Sequence, residues 1–254
     1  MGLFDKKSRE KAPPLYWAMH DTLAPPLRLV HNVKTINEEN LPAEGQGGCI
    51  IAGMHNGALD AMFIATAAER RGRAVRWVGD EGICNAPVVG PVIRNLGVIP
   101  IASHHGKGTD PEKIKAALSE ARDVIDTGGT VGIFPEGVIH PFYRGKKPMP
   151  FKTGIIRLAI ETGAPIIPAW AKGVGAIFPW LKPVTLRGGE LYLMAPLWTP
   201  SPVTIYFGEP FEVDAHLDIS ASKDEIRRQC RRLELAFEDL VYDRREDMED
   251  WLLD

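Results

Sequence analysis

Cysteine is scarce in this 254-residue chain. Cys49, Cys84 and Cys230 lie far apart and form no C-x-x-C pair, which excludes a disulfide framework or a zinc knuckle and points to a reducing, cytoplasmic compartment. No apolar run approaches the ~18 residues of a membrane span, and the opening MGLFDKKSREK has no apolar stretch like that of a signal peptide. Gly2 does not complete a myristoylation signal, because Lys6 stands where Ser or Thr is wanted. A basic excess is missing as well: the net charge is −3 and the pI near 6.2, which argues against nucleic acid as a partner. From Phe211 onward there are 14 acidic and 7 basic residues, −7, while the 23 basic and 19 acidic residues before it leave +4. No internal repeat and no low-complexity segment is present. What is there is 44% hydrophobic residues with 25 Gly and 21 Pro, the composition of a folded domain rich in turns.

The patterning alternates strands with helices. Pro13-Pro14 and Pro25-Pro26 bracket an aromatic and aliphatic segment, which reads as short broken helices over residues 13–36, with Trp17, Tyr16, Leu27 and Leu29 facing either core or lipid. Cys49 to Met54 is a continuous apolar run of the kind buried on both faces of a parallel sheet, and Leu59, Met62, Phe63 and Thr66 then recur at helical spacing. Strands are expected at Ala74 to Gly79 and Gly97 to Ile101, with a loop around Asn85-Ala86-Pro87 between them. Asp110 caps a helix that Gly128-Gly129 closes, and a strand from Thr130 to Phe134 follows. Further elements are a helix over Ile155 to Glu161 and strands over Pro165 to Trp170, Glu190 to Ala195 and Val203 to Phe207. A last helix opens on the capping box Ser222-x-x-Glu225. This order predicts an α/β fold: one domain over 46–254 with a mostly parallel central sheet flanked by helices, preceded by an N-terminal helical arm over 1–45 that can face a membrane.

In such folds ligands sit outside the carboxyl ends of the strands. Two polar clusters fall there, His55 to Asp60 after one strand and Phe134 to Gly137 after another. Histidine suits proton transfer near neutral pH, and a carboxylate five positions on, at a turn entering a helix, can hold Nδ1 and leave Nε2 free to take a proton from a hydroxyl. That is the base and orienter of a triad without a protein nucleophile. Glu136 stands between Pro135, which offers no backbone donor, and Gly137, which permits close backbone approach, as in a binding loop.

Together these clusters resemble the glycerolipid acyltransferase family, whose best-known members are 1-acylglycerol-3-phosphate acyltransferases. HNGALD at His55 to Asp60 matches its H-x4-D block and FPEG at Phe134 to Gly137 its F-P-E-G block. ENLP (Glu39 to Pro42), LGVIPI (Leu96 to Ile101), FKTGIIRLA (Phe151 to Ala159) and PIIPA (Pro165 to Ala169) follow the family's order. The resemblance implies transfer of a fatty acyl group from acyl-CoA or acyl carrier protein to a hydroxyl of a lysophospholipid or glycerol phosphate, with no acyl-enzyme, no bound cofactor and no metal. By it, His55 is the general base, Asp60 its support, and Glu136 and Gly137 bind the acceptor. Oxyanion donors are expected in the loop after His55 or near Gly137.

Two departures stand out. Ser103 and Ile139 occupy positions where the family commonly carries basic residues that meet phosphate, so a phosphate-bearing acceptor requires that Lys107, Arg144, Lys146, Lys147 or Lys152 take over that role, and otherwise the acceptor is a different one. Lys152, in a matching block, is favoured, with Lys107 and Arg144 as further candidates. The alternatives are an acyltransferase for another lipid or polyol, or a lipid-binding module without turnover. A metal hydrolase built on His104, His105, Glu136 and His140 is disfavoured because no H-E-x-x-H helix exists, and a serine hydrolase because no G-x-S-x-G exists. The expected location is the cytoplasm, peripheral on the inner face of the cell membrane.

Overall fold

A computed structural model describes residues 9–102, 110–139, 150–178, 184–186, 189–191 and 198–242. In chain order the elements are α1 (Pro14–Val30), β1 (Lys34–Ile36), β2 (Cys49–Gly53), α2 (Asp60–Ala68), β3 (Val75–Asp80), α3 (Glu81–Cys84), α4 (Val89–Asn95) and β4 (Ile99–Ile101). They continue with α5 (Pro111–Asp126), β5 (Thr130–Ile133), α6 (Gly154–Thr162), β6 (Ile166–Lys172), β7 (Val184–Leu186), β8 (Gly189–Leu191), β9 (Thr204–Phe207) and α7 (Lys223–Tyr242).

Seven strands form one open sheet in the order β1-β9-β6-β2-β5-β3-β4, parallel throughout except where β6 meets β9. The centre of that sheet is β2, all of whose residues are buried. Its alternation feeds two cores. Ile50 and Ala52 pack with α5, α6 and α7 on one face, and Cys49 and Ile51 pack with α1 and α2 on the other. A strand buried on both faces must read as a continuous apolar run, which is how CIIAG reads.

Local chemistry sets the helix boundaries. The Asp110 carboxylate accepts the N–H groups of Glu112 and Lys113 at the start of α5, where Pro111 has no N–H to leave unpaired. At α7, Ser222 and Glu225 cap each other reciprocally: the Glu225 N–H donates to Ser222 Oγ at 3.3 Å, and the Ser222 N–H donates to Glu225 Oε2 at 2.8 Å.

Two expectations need correction, and two others gain detail. The segment with paired prolines is one helix of 17 residues with Pro25 and Pro26 inside it, because burial of Tyr16, Ala24 and Leu27 holds the chain in register despite the missing donors. The stretch around Asn85 is flanked by two helices, α3 and α4. Asp80 starts the first of them, its carboxylate accepting from Gly82 and Ile83. Residues 34–36, inside the expected arm of 1–45, form β1 and pair in parallel with β9 in the main sheet. The described part of the strand expected at Glu190 to Ala195 is β8, which pairs only with β7 in a separate hairpin.

Candidate active site

Both polar clusters lie where the chain leaves adjacent parallel strands, β2 and β5. The helices that follow them, α2 and α6, pack on opposite faces of the sheet, so the two exits diverge and leave a crevice between them. From β2 the chain runs through Met54 to His55, and α2 begins with Asp60 as its first residue. The turn between them folds the carboxylate back. The His55 Nδ1–H donates to Asp60 Oδ2 at 3.1 Å, and the Gly57 N–H donates to the same oxygen at 2.7 Å. Asp60 has no exposed surface; burial pushes its carboxyl above the ordinary range, while the imidazole and the backbone N–H groups of Gly57 and Asn56 pull it back. With Nδ1 engaged, Nε2 keeps its lone pair. The His55 side chain is 19% exposed and lines a cavity.

Phe134, at the end of β5, stacks on the imidazole with ring centroids 4.0 Å apart and 15° between planes. It also stacks on Trp77 of β3 at 4.6 Å and 10°. This three-ring column rests on glycines: a Cβ on Gly53 would lie 2.6 Å from the Phe134 ring, and one on Gly132 would lie 2.5 Å from the indole. Glycine inside a strand weakens the strand, and here it admits a ring flat against the backbone.

Glu136 is only 4% exposed, and its Oε2 accepts the backbone N–H of His55 at 3.3 Å. The carboxylate expected to meet an acceptor is therefore engaged with the loop that carries the histidine. Gly137 adopts the left-handed conformation, φ +70°, and a Cβ there would come within 2.3 Å of Lys152 Nζ. Lys152 is anchored by its own N–H, which donates to the Pro135 carbonyl at 2.9 Å. Its side chain is exposed at the cavity wall, with no acidic partner among the described residues. His55, Phe134, Gly137 and Lys152 thus border one hollow. Lys107 and Arg144 lie outside the described residues, as do Ser103, Lys146, Lys147 and the histidines at 104, 105 and 140.

Three N–H groups in the loops expected to supply oxyanion donors are engaged within the protein. The N–H groups of Gly57 and Asn56 serve Asp60, and that of Gly137 donates to the Phe134 carbonyl at 3.0 Å. The three cysteines are buried, which raises the Cys84 thiol and pushes Cys49 and Cys230 up to about 11.

The cavity measures about 900 Å³, near the top of the ~300–1,000 Å³ usual for small-molecule sites. Its walls are mostly apolar: Leu23 and Leu27 from α1, Met62 from α2, Val78 from β3, Leu118 from α5 and Ile155 from α6. Sequence reasoning missed Trp77 and the contribution of α1. The strand glycines Gly53 and Gly132 were the only local signal for the ring column.

The model of the acyltransferase family matches residues 32–172. The chloroplastic 1-acyl-sn-glycerol-3-phosphate acyltransferase BAT2 of Brassica napus is 29% identical over 155 residues, 60% of this chain and 41% of that one. The 1-acyl-sn-glycerol-3-phosphate acyltransferase of Bacillus subtilis is 26% identical over 147 residues, 58% of this chain and 66% of its own. In both cases the match spans less than two thirds of the relative's length. Among solved structures, the 1-acyl-sn-glycerophosphate acyltransferase PlsC of Thermotoga maritima shares the fold, with a TM-score of 0.53 at 18% identity over 86% of this chain and 79% of that one.

Proposed function

The chain belongs to the acyltransferase family, and from that membership we propose that it is an O-acyltransferase moving a fatty acyl group from a thioester, acyl-CoA or acyl carrier protein, to the hydroxyl of 1-acylglycerol 3-phosphate in phospholipid synthesis. The observation that carries this reading is the His55–Asp60 pair opening onto a largely apolar cavity beside Lys152. Nε2 of His55 takes the proton of the acceptor hydroxyl as its oxygen bonds to the thioester carbon. The tetrahedral intermediate then expels the thiolate, which leaves as free thiol with the proton returned from the imidazolium. Asp60 stabilises that imidazolium, and Glu136 fixes the backbone under it, acting as a positioning residue. Much of the rate comes from holding hydroxyl and thioester together. Hydrocarbon fills the apolar walls, and the Lys152 ammonium meets the acceptor phosphate as a point charge in place of the basic residues that Ser103 and Ile139 replace.

The test is acceptor-dependent release of free thiol from an acyl-CoA, with lysophosphatidate compared against monoacylglycerol. Wild type should favour the phosphorylated acceptor, and Lys152→Met should raise its KM about tenfold while leaving the KM for monoacylglycerol near wild type. Thiol release that ignores both acceptors would replace the reading with thioester hydrolysis, no release with either would favour a lipid-binding module, and an unchanged KM would remove Lys152 from the phosphate site.

The same reading extends to a bilayer surface. No described helix is long and apolar enough to cross a membrane. Yet α1 exposes Leu23, Leu29 and Val30, and the neighbouring α3–α4 segment exposes Ile83, Val88, Val89 and Val92. Leu23 and Ile83 also line the cavity, so its mouth opens within an apolar face. Wild type should float with vesicles of phosphatidylethanolamine and phosphatidylglycerol, and Leu29→Glu combined with Val88→Glu should leave the protein in the load. Wild type that stays in the load would remove the membrane contact.

A further inference from the structure

During acyl transfer the His55 ring gains a positive charge, and an aromatic ring covers one of its faces. Phe134 stacks on the imidazole with 4.0 Å between centroids and 15° between planes, and Trp77 stacks on Phe134 in turn at 4.6 Å and 10°. The face of a phenyl ring carries the negative part of its quadrupole, which attracts a cation within ~6 Å of the centroid. A neutral imidazole gains only packing from such a contact, whereas an imidazolium gains the electrostatic attraction as well. The stack therefore stabilises the ring more after the proton has been taken than before, and only such a difference lowers the barrier. Leucine would shield the same face without that difference. Two strand side chains are given up to make the stack. A Cβ on Gly53 would lie 2.6 Å from the Phe134 ring and one on Gly132 2.5 Å from the indole, so neither position admits another residue while the rings lie flat.

Given the acyltransferase reading, on which this step rests, we propose that Phe134, backed by Trp77, is a positioning residue that favours the charged form of His55 through the ring face, as Asp60 does through the Nδ1 edge. The two supports differ in kind. Asp60 lies 3.1 Å from Nδ1 and fixes the tautomer, while Phe134 meets the π face and acts only on the charge. Trp77 works through Phe134 by holding that ring parallel to the imidazole. The titratable and charged groups that line or back the hollow are His20, Asp60, Asp80, Glu136, Lys152 and Arg157. All of them are kept in the substitutions below, so a displaced pH profile reports on the stack.

The experiment places phenylalanine bearing one, two or three ring fluorines at position 134, alongside Phe134→Leu, Trp77→Leu and the double variant. Thiol release from an acyl-CoA with lysophosphatidate as acceptor is followed across pH, with thermal melts to establish that each protein is folded. Fluorine withdraws electron density from the ring face with little change of shape, so packing alone predicts no trend. The acid limb of kcat/KM should move stepwise to lower pH, by about 0.7 unit at the third fluorine, the scale of one cation–π contact. In the same series kcat should fall about threefold, because only part of the charge has formed when the barrier is crossed, and both KM values should stay near wild type. Phe134→Leu should match the trifluorinated ring. Trp77→Leu should act in the same direction, and the double variant should lose no more than Phe134→Leu alone, as expected of a residue that works through another. A fluorine series with an unmoved acid limb and constant kcat, or losses that add in the double variant, would overturn the role of the stack while leaving the acyltransferase reading intact. Absence of thiol release by wild type would instead overturn the reading beneath it.

Discussion

His55→Ala is expected to lower kcat for acyl transfer by about 10³-fold, within the ~10²–10⁴ range of a positioned general base, while leaving the melting temperature close to wild type. The effect is large because Asp60 supports the His55 ring, and none of Lys152, Asp60 and Glu136 can take over its task. Lys152 carries a charge but no lone pair when protonated, Asp60 is fully buried behind the ring, and Glu136 is turned to the His55 backbone. The effect on stability is small because the ring keeps part of its surface exposed and the Asp60 carboxylate retains the Gly57 N–H. Asp60→Asn should cost at least as much in kcat, because the amide removes the negative charge that supports the imidazolium and no longer fixes the Nδ1–H tautomer. Steady-state kinetics on the folded variants decides the matter. Full activity in His55→Ala would assign the proton transfer elsewhere.

How much of this was legible beforehand follows the reach of each interaction. The His55 to Asp60 geometry is made within six residues, by a strand end, a turn and the first residue of a helix, so a carboxylate able to return to Nδ1 could be read from the chain locally. The buried run CIIAG and the caps at Asp110 and Ser222 were legible for the same reason. What depends on distant partners was not. Glu136 reads as a binding group in a Pro-Glu-Gly loop, and its engagement with a backbone N–H 81 positions away depends on β2 and β5 being neighbours. Pro25-Pro26 argues locally for a break, and only the packing of α1 against the sheet overrides it. Trp77 looks like an ordinary core residue until Gly132, from the adjacent strand, leaves room for its ring.

Arg73→Leu is expected to destabilise the fold by about 3–5 kcal/mol, the scale of breaking a buried charged network, against a total of ~5–15 kcal/mol for a typical domain. Arg73 has no exposed surface, yet every arm of its guanidinium is used. It donates to the carbonyls of Pro42, Gly128, Ala43 and Gly47 at 2.7–2.8 Å, and Nη1 lies 3.6 Å from Glu10. Glu10 in turn accepts from the N–H groups of Ala74 and Thr130 and from the Thr130 hydroxyl, and burial raises its carboxyl above the ordinary range. Leucine would fill much of the volume but leave four carbonyls and a carboxylate without their cation. Arg73→Lys should recover only part of the loss, since one ammonium cannot reach four carbonyls from a single point. Residues 42–47 lead into β2 and Gly128 precedes β5, so this network ties together the amino ends of the two strands whose carboxyl ends carry His55 and the Phe-Pro-Glu-Gly corner. The substitution should therefore lower the denaturation midpoint steeply while kcat per folded molecule, measured well below that midpoint, stays near wild type. A loss under about 1 kcal/mol in urea titration would mean that water replaces the guanidinium; a matching fall in kcat would mean that the two ends of these strands are not independent.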